Sequence, residues 1–430
     1  MLIDGDERLL MVCATARDRR ELGRLEHLGA SVARYHGYAS DDLESMVAGD
    51  PTASELTDPW RELESLLELC EGEKITAVAS TDDYPGSALA AIVAHRIGVR
   101  GVRPEASLTC QHKFHSRRAQ QRACPDAVPE FYLIDARPEI ALPPQLTFPT
   151  FVKPIKSYLS LGAQLINDAS ELRRLQREWL RNLPFFNIFD EFLRRYTPYS
   201  VGHSLLLAER PLSGVQVTLD GYVYDGEVVT VGVVDSIMYP GTLAFQRFEY
   251  PSALPAEAQQ RMSTIAGAVM AELGYGDGQF NMEFMFDPET ERAAIIEINP
   301  RMSSQFADLY EKVDGTNGYA TMLSIARGVR PVLQRRAGRH RAAASCVLRT
   351  FKNQMVMRVP TAHEIERLQQ SYPDLRIEIL AQEGTKLSQQ LQDGNSYRYA
   401  VLNIGAGDRR EILDILEDCR RRLTFIFEPV

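Results

Sequence analysis

The sequence predicts an α/β protein that passes into α+β in its later part, folded as about two to three domains. Three observations lead there. At 430 residues the chain is too long for a single hydrophobic core. Residues 9–103 alternate buried-strand and amphipathic-helix patterns, as a parallel sheet covered by helices requires. From residue 204 onward period-two strands recur, and one hairpin, residues 279–301, carries an unusually polar face.

The elements follow in order. Residues 9–14 form an apolar strand and 17–29 a helix closed by glycine. A longer helix at 59–71 leads to a strand at 75–80, and 84–98 is helical again. No GxGxxG follows the first strand, so dinucleotide binding there has no support. Asp82 and Asp83, at a strand end, read as a solvated loop. His112 and His115 read as a surface helix turn, since no further ligands accompany them. The proline-rich stretch 138–149 marks a boundary, after which 150–153 and 163–166 are strands. Asp168 and Glu171 form a capping-box signal for a helix over 171–183. Strands occupy 204–234, with turns at Asp220-Gly221 and Asp225-Gly226. Helices at 256–274 and 317–327 flank the polar hairpin. Arg335, Arg336, Arg339 and Arg341 form a solvated basic link, and residues 342–430 are a small α+β unit ending in a helix at 409–423.

Composition narrows the function classes. Hydrophobic residues make up 44% and charged residues 25%, as in a soluble globular enzyme. A net charge of -10 argues against a nucleic-acid-binding body, while an anionic ligand needs only local positive charge. The six cysteines are scattered without a CxxC pair and read as reduced thiols. The N-terminus carries acids where a signal peptide carries bases, and no apolar run reaches the about 18 residues of a membrane span. A cytoplasmic protein without a membrane or nucleic-acid partner is expected.

With the hairpin turn centred on Thr290, Glu283 faces Glu297, Asn281 faces Asn299 and Gln279 faces Arg301. Phe280, Met282, Phe284, Phe286, Ile296 and Ile298 then share the opposite face. Carboxylates held directly opposite each other must share a proton or a cation. The neighbouring Asn299 and the terminal Arg301 favour a cation. Hard oxygen ligands with open positions suit Mg2+, with Mn2+ as a substitute. Upstream, Lys153 ends a strand and enters a loop holding Ser157, Ser160 and Gly162, whose backbone N–H groups can wrap phosphate oxygens.

Taken in sequence order, Lys113, Lys153 with its loop to Gly162, the hinge from Glu209 through Leu212 and Gly214 to Gln216, and the set Glu283, Glu297, Asn299 and Arg301 resemble the ATP-grasp superfamily of carboxylate–amine ligases. The similarity is to the branch that includes biotin-carboxylase-like enzymes and amino-acid ligases. It implies a Rossmann-like domain over 1–108, an ATP-grasp domain over 109–335 with a lid at about 147–208, and a C-terminal α+β domain over 336–430. It also implies ATP as the nucleotide. Lys113, Lys153, Ser157, Ser160 and Gly162 would meet its phosphates. Glu209 and the backbone at Arg210 and Leu212 would read adenine, and Gln216 would stand where the family holds the ribose with a glutamate. Glu283, Glu297 and Asn299 would hold Mg2+, and Arg301 would stabilise an acyl phosphate. Arg247 is the second catalytic candidate. It lies in a segment, 235–250, that is expected to choose the substrate together with residues 303–305.

The implied reaction joins a small-molecule carboxylate to an amine with release of ADP and phosphate, as an amino-acid or dipeptide ligase does. The resemblance allows a homodimer. Two alternatives stand beside this reading. One is a bicarbonate-activating enzyme, although Ser303 and Gln305 occupy the places where that branch has Gln and Glu. The other is a nucleotide-binding module without chemistry, which would have no use for Arg301.

Overall fold

The computed structural model describes residues 8–25, 32–36, 59–157, 162–179, 187–202, 204–389 and 396–430. The N-terminal part holds β1 (Leu9–Met11), α1 (Ala16–Arg24), β2 (Val32–Tyr35), α2 (Pro59–Glu73), β3 (Ala77–Ala79) and α3 (Gly86–Ile97). Its strands form a parallel sheet in the order β2-β1-β3, as the strand–helix alternation predicts. Thr15 caps α1 in a reciprocal capping box with Asp18. Asp18 is fully buried and also accepts from Thr81 Oγ1 at 2.7 Å and from the Tyr319 hydroxyl at 2.8 Å, which ties this unit to the next.

Next come α4 (Pro104–Gln111), α5 (Lys113–Ala123), β4 (Phe131–Asp135), β5 (Thr150–Pro154), β6 (Gln164–Ile166), α6 (Ala169–Trp179), α7 (Asn187–Tyr196) and β7 (Leu205–Glu209). Their strands form an antiparallel sheet in the order β4-β7-β5-β6, which the strand Phe131–Asp135 joins at one edge. His112 and His115 are not a surface turn. His112 is fully buried, caps α5 by accepting the His115 N–H at 3.2 Å, and sits 2.9 Å from the Val201 carbonyl. Burial, with each other's or a neighbour's charge second, holds their imidazoles neutral, at about 3 and about 4.

The largest sheet comprises β8 (Val215–Tyr224), β9 (Glu227–Met238), β10 (Phe245–Tyr250), β11 (Gly278–Asp287), β12 (Arg292–Asn299), β13 (Ala342–Thr350), β15 (Arg376–Ile379) and β16 (Tyr397–Ala406). Its order is β12-β11-β8-β9-β10-β13-β16-β15. The C-terminal segment thus continues the central sheet across the arginine-rich link instead of starting a separate one. That link is pinned down as well: Arg335 Nη2 donates to the Thr230 carbonyl at 2.7 Å and the Arg336 N–H to Asp314 at 2.9 Å. The helices α8 (Ala256–Leu273), α9 (Ala307–Asp314), α10 (Gly318–Ala326), α11 (Ala362–Ser371) and α12 (Arg409–Arg422) cover the sheet, and β14 (Gln354–Arg358) pairs with β17 (Ile426–Pro429). Among the described residues no helix is long and apolar enough to cross a membrane, and none of the six cysteines is in a disulfide.

Asp220-Gly221 is not a turn. It lies inside β8, where a register shift separates the two residues. The turn that closes β8 and β9 is Asp225-Gly226, both with positive φ (48° and 79°). Glycine is required at 221 because a Cβ there would lie 2.5 Å from Phe280 Cζ and 2.9 Å from the Val229 carbonyl. Gly221→Ala should therefore lower stability by about 1–3 kcal/mol through overpacking. Combining it with Phe280→Leu should recover part of that loss, because leucine has no ζ carbon. Urea unfolding of the three variants checks this, and a Gly221→Ala protein as stable as wild type would refute it.

Candidate active site

The polar face of the hairpin is built as the alternation predicts. Asn281 pairs with Asn299 and Glu283 with Glu297. Beyond Glu283 the register shifts, so that Phe284 pairs with Ile295 and Ile296 is the extra residue of a bulge. The apolar face therefore receives Ile295, fully buried against Phe280, Met282, Phe284 and Phe286, where the alternation had put Ile296. The bulge turns the Ile296 carbonyl toward two cations. Arg117 Nη2 donates to it at 2.8 Å and Lys153 Nζ at 3.3 Å. The Gln279–Arg301 facing pair lies beyond the last pair of the ladder.

Burial first, and Glu297 second, push the Glu283 carboxyl far above the usual range, while Arg301 and Lys153 oppose the shift. Gln216 Nε2 donates to Glu283 Oε2 at 2.8 Å, so its amide turns to the carboxylate pair. On the same face of the adjoining strand lies Asp220, which sequence reading missed. It accepts from Asn281 Nδ2 at 2.6 Å and from the Tyr310 hydroxyl at 2.9 Å. Burial raises it to about 6 against those two hydrogen bonds. Continuing the period-two pattern from Gln216 through Thr218 would have found it, had the Asp-Gly dipeptide not read as a turn.

The cations come from the neighbouring layer. Lys153 is 5% exposed and lies 2.9 Å from Glu209 Oε2, and Glu209 Oε1 takes Arg117 Nε at 2.6 Å. Burial lowers Lys153 to about 8, partly offset by Glu209. For Glu209 burial acts upward, but Arg117 and Lys153 outweigh it and hold the carboxyl at about 2. Both oxygens of the Glu209 side chain are thus engaged by cations. The Arg210 N–H is likewise taken, by the Glu130 carbonyl at 2.9 Å, while Leu212 is half-buried in the turn beyond. Lys113 Nζ lies 3.3 Å from Ser157 Oγ, which brings the first lysine to the loop as expected. Gly162 has φ 72°, and a Cβ there would meet Pro154 Cγ at 2.9 Å. Ser160 lies outside the described residues.

Lys156, not singled out by the sequence, is 1% exposed. Its Nζ donates to Gln111 Oε1 at 3.0 Å and stands 4.6 Å from the Tyr84 ring and 5.3 Å from the Phe189 ring. Burial lowers it to about 8, with Asp83 opposing. Asp82 and Asp83 are accordingly not a solvated loop. Asp82 accepts the Gly86 N–H at 2.7 Å and is raised by burial to about 6. For Asp83, burial is overcome by Lys156, Arg301 and Lys113, and its carboxyl is lowered. Arg301 acts on Asp82, Asp83, Asp220 and Glu283 alike, which sets it at the centre of the acidic groups.

Arg247 does not join them. Its neighbour Phe248 pairs with Ser236, which lies on the face of Thr218 and Glu283, so Arg247 points to the opposite face. There its Nε meets Glu249 at 2.6 Å, and Arg409 of α12 bridges Glu249 and Asp235. In the same segment Phe248 and Tyr250 are core residues, packed with Phe306 and Tyr310. Gln305 Nε2 donates to Ser345 Oγ at 2.9 Å.

Residues 146–309 match the family described as ATP-grasp domain. The chain carries an ATP-grasp domain. Among curated proteins, 168 residues are 27% identical to the carbamoyl phosphate synthase large chain of Thermus thermophilus, and 163 residues are 29% identical to that of Kineococcus radiotolerans. These matches cover 38% of this chain and only 14% and 13% of those larger proteins. Among solved structures, the L-amino acid ligase from Bacillus licheniformis superimposes with a TM-score of 0.77 at 14% identity, over 99% of this chain and 100% of that one. Biotin carboxylase from Campylobacter jejuni gives 0.66 at 14% identity, over 98% of this chain and 92% of that one. The likeness to these solved structures extends through nearly all of the chain, the N-terminal parallel sheet and C-terminal strands included.

The Glu209 ion triad gives a pH-dependent prediction. Its folded pKa lies below the unfolded value of 4.5, so its contribution is present above that value and lost as pH falls toward 2. Glu209→Gln leaves Lys153 and Arg117 buried without their anion and should cost about 3–5 kcal/mol at pH 7. The gap to wild type should narrow as pH drops below 4.5. Urea unfolding from pH 7 to pH 3 measures it. A variant of unchanged stability at pH 7 would show that the triad contributes nothing net.

Proposed function

We propose that the chain is an ADP-forming ligase that activates a small-molecule carboxylate as an acyl phosphate and joins it to an amine, with amino acids as the substrate class. The observation that carries this reading is the facing Glu283/Glu297 pair with Asn299 beside it, set against Lys113, Lys153, Lys156 and Arg301. The family match and the likeness to the L-amino acid ligase support it.

The donor set fits a divalent cation. Glu283 is driven upward because it lacks a positive partner strong enough to offset burial and Glu297. Asn299 spends its Nδ2 on Asn281 Oδ1 at 3.1 Å, which leaves its own oxygen to give. Two carboxylates and an amide oxygen suit Mg2+ with places open for phosphate, and the ion would neutralise phosphate charge there. Among the described residues no cluster of three or more His, Cys, Asp or Glu competes as a metal site.

The residues of the chain then have separable tasks. Lys113 and Lys153 hold the phosphates of ATP, and Lys156 adds a third cation whose charged form anionic oxygens stabilise. Catalysis rests on positioning, which brings the substrate carboxylate in line with the γ-phosphorus, and no protein nucleophile is needed. Arg301 holds oxygens of the acyl phosphate with its planar fork while the amine displaces phosphate.

The test is to screen ADP and phosphate release against a panel of amino acids, alone and in pairs, with Mg2+. ADP formation that depends on a substrate pair is expected, and AMP tracking acceptor consumption would refute the acyl-phosphate route. Glu297→Gln should abolish that turnover while apo thermal stability holds or rises, because one of two facing charges is removed. Wild-type turnover in this variant would reject the metal assignment. Arg301→Lys should keep ATP affinity, measured by calorimetry, but lose about 2–4 kcal/mol of rate, as for removal of one preorganised donor. Equal losses in affinity and rate would move Arg301 to ground-state ATP binding.

A further inference from the structure

Beside the carboxylate pair runs a buried chain of polar side chains, of which the reaction scheme uses only Asn299. Asn299 Nδ2 donates to Asn281 Oδ1 at 3.1 Å, Asn281 Nδ2 donates to Asp220 Oδ1 at 2.6 Å, and the Tyr310 hydroxyl donates to Asp220 Oδ2 at 2.9 Å. All four residues are at most 7% exposed: Asp220 5%, Asn281 3%, Asn299 7% and Tyr310 3%. They come from four elements: β8, β11 and β12 supply the first three, and α9 supplies the tyrosine.

The chain has a direction. An ionised carboxylate can only accept hydrogen bonds, whereas a side-chain amide can accept or donate and reads both ways when flipped. Asp220 accepting at both oxygens forces Asn281 to present Nδ2 to it, and so to present Oδ1 to Asn299. Asn299 must answer with Nδ2, and its oxygen is turned away from Asn281. Glu283 and Glu297 are the next residues on that face of the hairpin. We propose that Asp220 is a positioning residue that fixes, through Asn281, the amide orientation in which Asn299 offers an oxygen rather than an N–H group to the cation. This rests on Asn299 being a cation ligand. It adds to that reading the reason why a carboxylate stands two residues away, in space, from the metal-facing pair.

An asparagine at 220 removes the direction. It can accept from Asn281 as before, or donate to a flipped Asn281, and in the second arrangement Asn299 points Nδ2 at the cation. Moving the carboxylate one step along the chain restores it. In the double variant Asp220→Asn/Asn281→Asp, the new asparagine donates to residue 281 and accepts from Tyr310, while residue 281 accepts from Asn299, and the total charge is unchanged.

The probe is Mn2+ alone, titrated into nucleotide-free protein, with free Mn2+ read by electron paramagnetic resonance and thermal melting run alongside. Asp220→Asn should weaken Mn2+ binding about tenfold or more, the size seen when a hydrogen-bond partner of a metal ligand is lost. The double variant should bind within about threefold of wild type. Tyr310→Phe, which leaves Asp220 an acceptor, should also bind within about threefold of wild type. Asn299→Ala separates the two levels of the argument. If it leaves Mn2+ affinity unchanged, the ligand assignment itself is wrong. If it weakens binding while Asp220→Asn does not, or if the double variant stays as weak as Asp220→Asn, the positioning role of Asp220 is overturned. Should Asp220→Asn fail to fold, the double variant, which keeps every hydrogen bond of the chain, carries the test, and weak binding there overturns the proposal.

Discussion

The bulge at Ile296 is the constraint on which the site depends. A regular ladder would keep the same side-chain parity along the whole of β12, and the strand cannot satisfy both its polar and its apolar neighbours that way. With one extra residue, Glu297 and Asn299 stay opposite Glu283 and Asn281, while Ile295 and Ala293 still reach the core under α8. The residue left over contributes its carbonyl, which receives both Arg117 and Lys153. The bulge thereby links the sheet that holds the carboxylates to the layer that holds the cations. Bulges that redirect a strand beside a functional site serve this purpose generally.

That link explains an expense the fold carries. Lys153, Lys156, Arg117 and Glu209 are all at most 5% exposed, and taking such groups out of water costs several kcal/mol each before pairing offsets it. An apolar set of the same volume would stabilise the fold as well or better. Charges kept there against that cost are arranged for something other than stability. Burial depresses both lysines to about 8, so an anionic ligand that replaces the missing water favours their charged form further and gains affinity in doing so.

How far the sequence was legible follows from which forces are local. Glu283 facing Glu297 could be read because alternation along a strand has one physical cause, the pleat, and no tertiary information is needed to count it. The N-terminal parallel sheet was readable for a similar reason. Ile296 was misplaced because an inserted residue leaves no mark on the pattern until the partner strand is seen. Asp220 was hidden by an Asp-Gly pair that is turn chemistry in isolation, and only the Phe280 ring packed against Gly221 shows why a glycine sits mid-strand. Arg117, Lys156, Asp82 and Asp83 were missed because polar residues on helices and loops read as solvent-facing. Arg117 and Lys156 are buried by pairing with groups far away in the chain, such as Arg117 with Glu209, ninety-two residues on. Arg247 failed in the opposite sense: a charge beside candidate aromatics suggested the site, and the strand pairing sends it to the other face.

The cleft also draws its walls from units that must stay in register. Asp82 and Asp83 leave the end of β3, where ligands of open parallel sheets gather, and they are set against Arg301 and Lys156 from the later domain. Asp18 holds that arrangement from beneath through Thr81 and Tyr319, and Leu9, Met11 and Ala77 pack with Met302, Tyr319 and Met322 in one apolar cluster. On the far side, Arg376 of β15 reaches Glu21 of α1 at 3.0 Å and Asp308 of α9 at 2.8 Å, so the C-terminal strand braces the same junction. The segment between these anchors, residues 300–308, contains Arg301 and the residues that follow it. Its position is therefore set by contacts from both ends of the chain, and the charge balance around Arg301 is a property of the assembled molecule rather than of the hairpin alone.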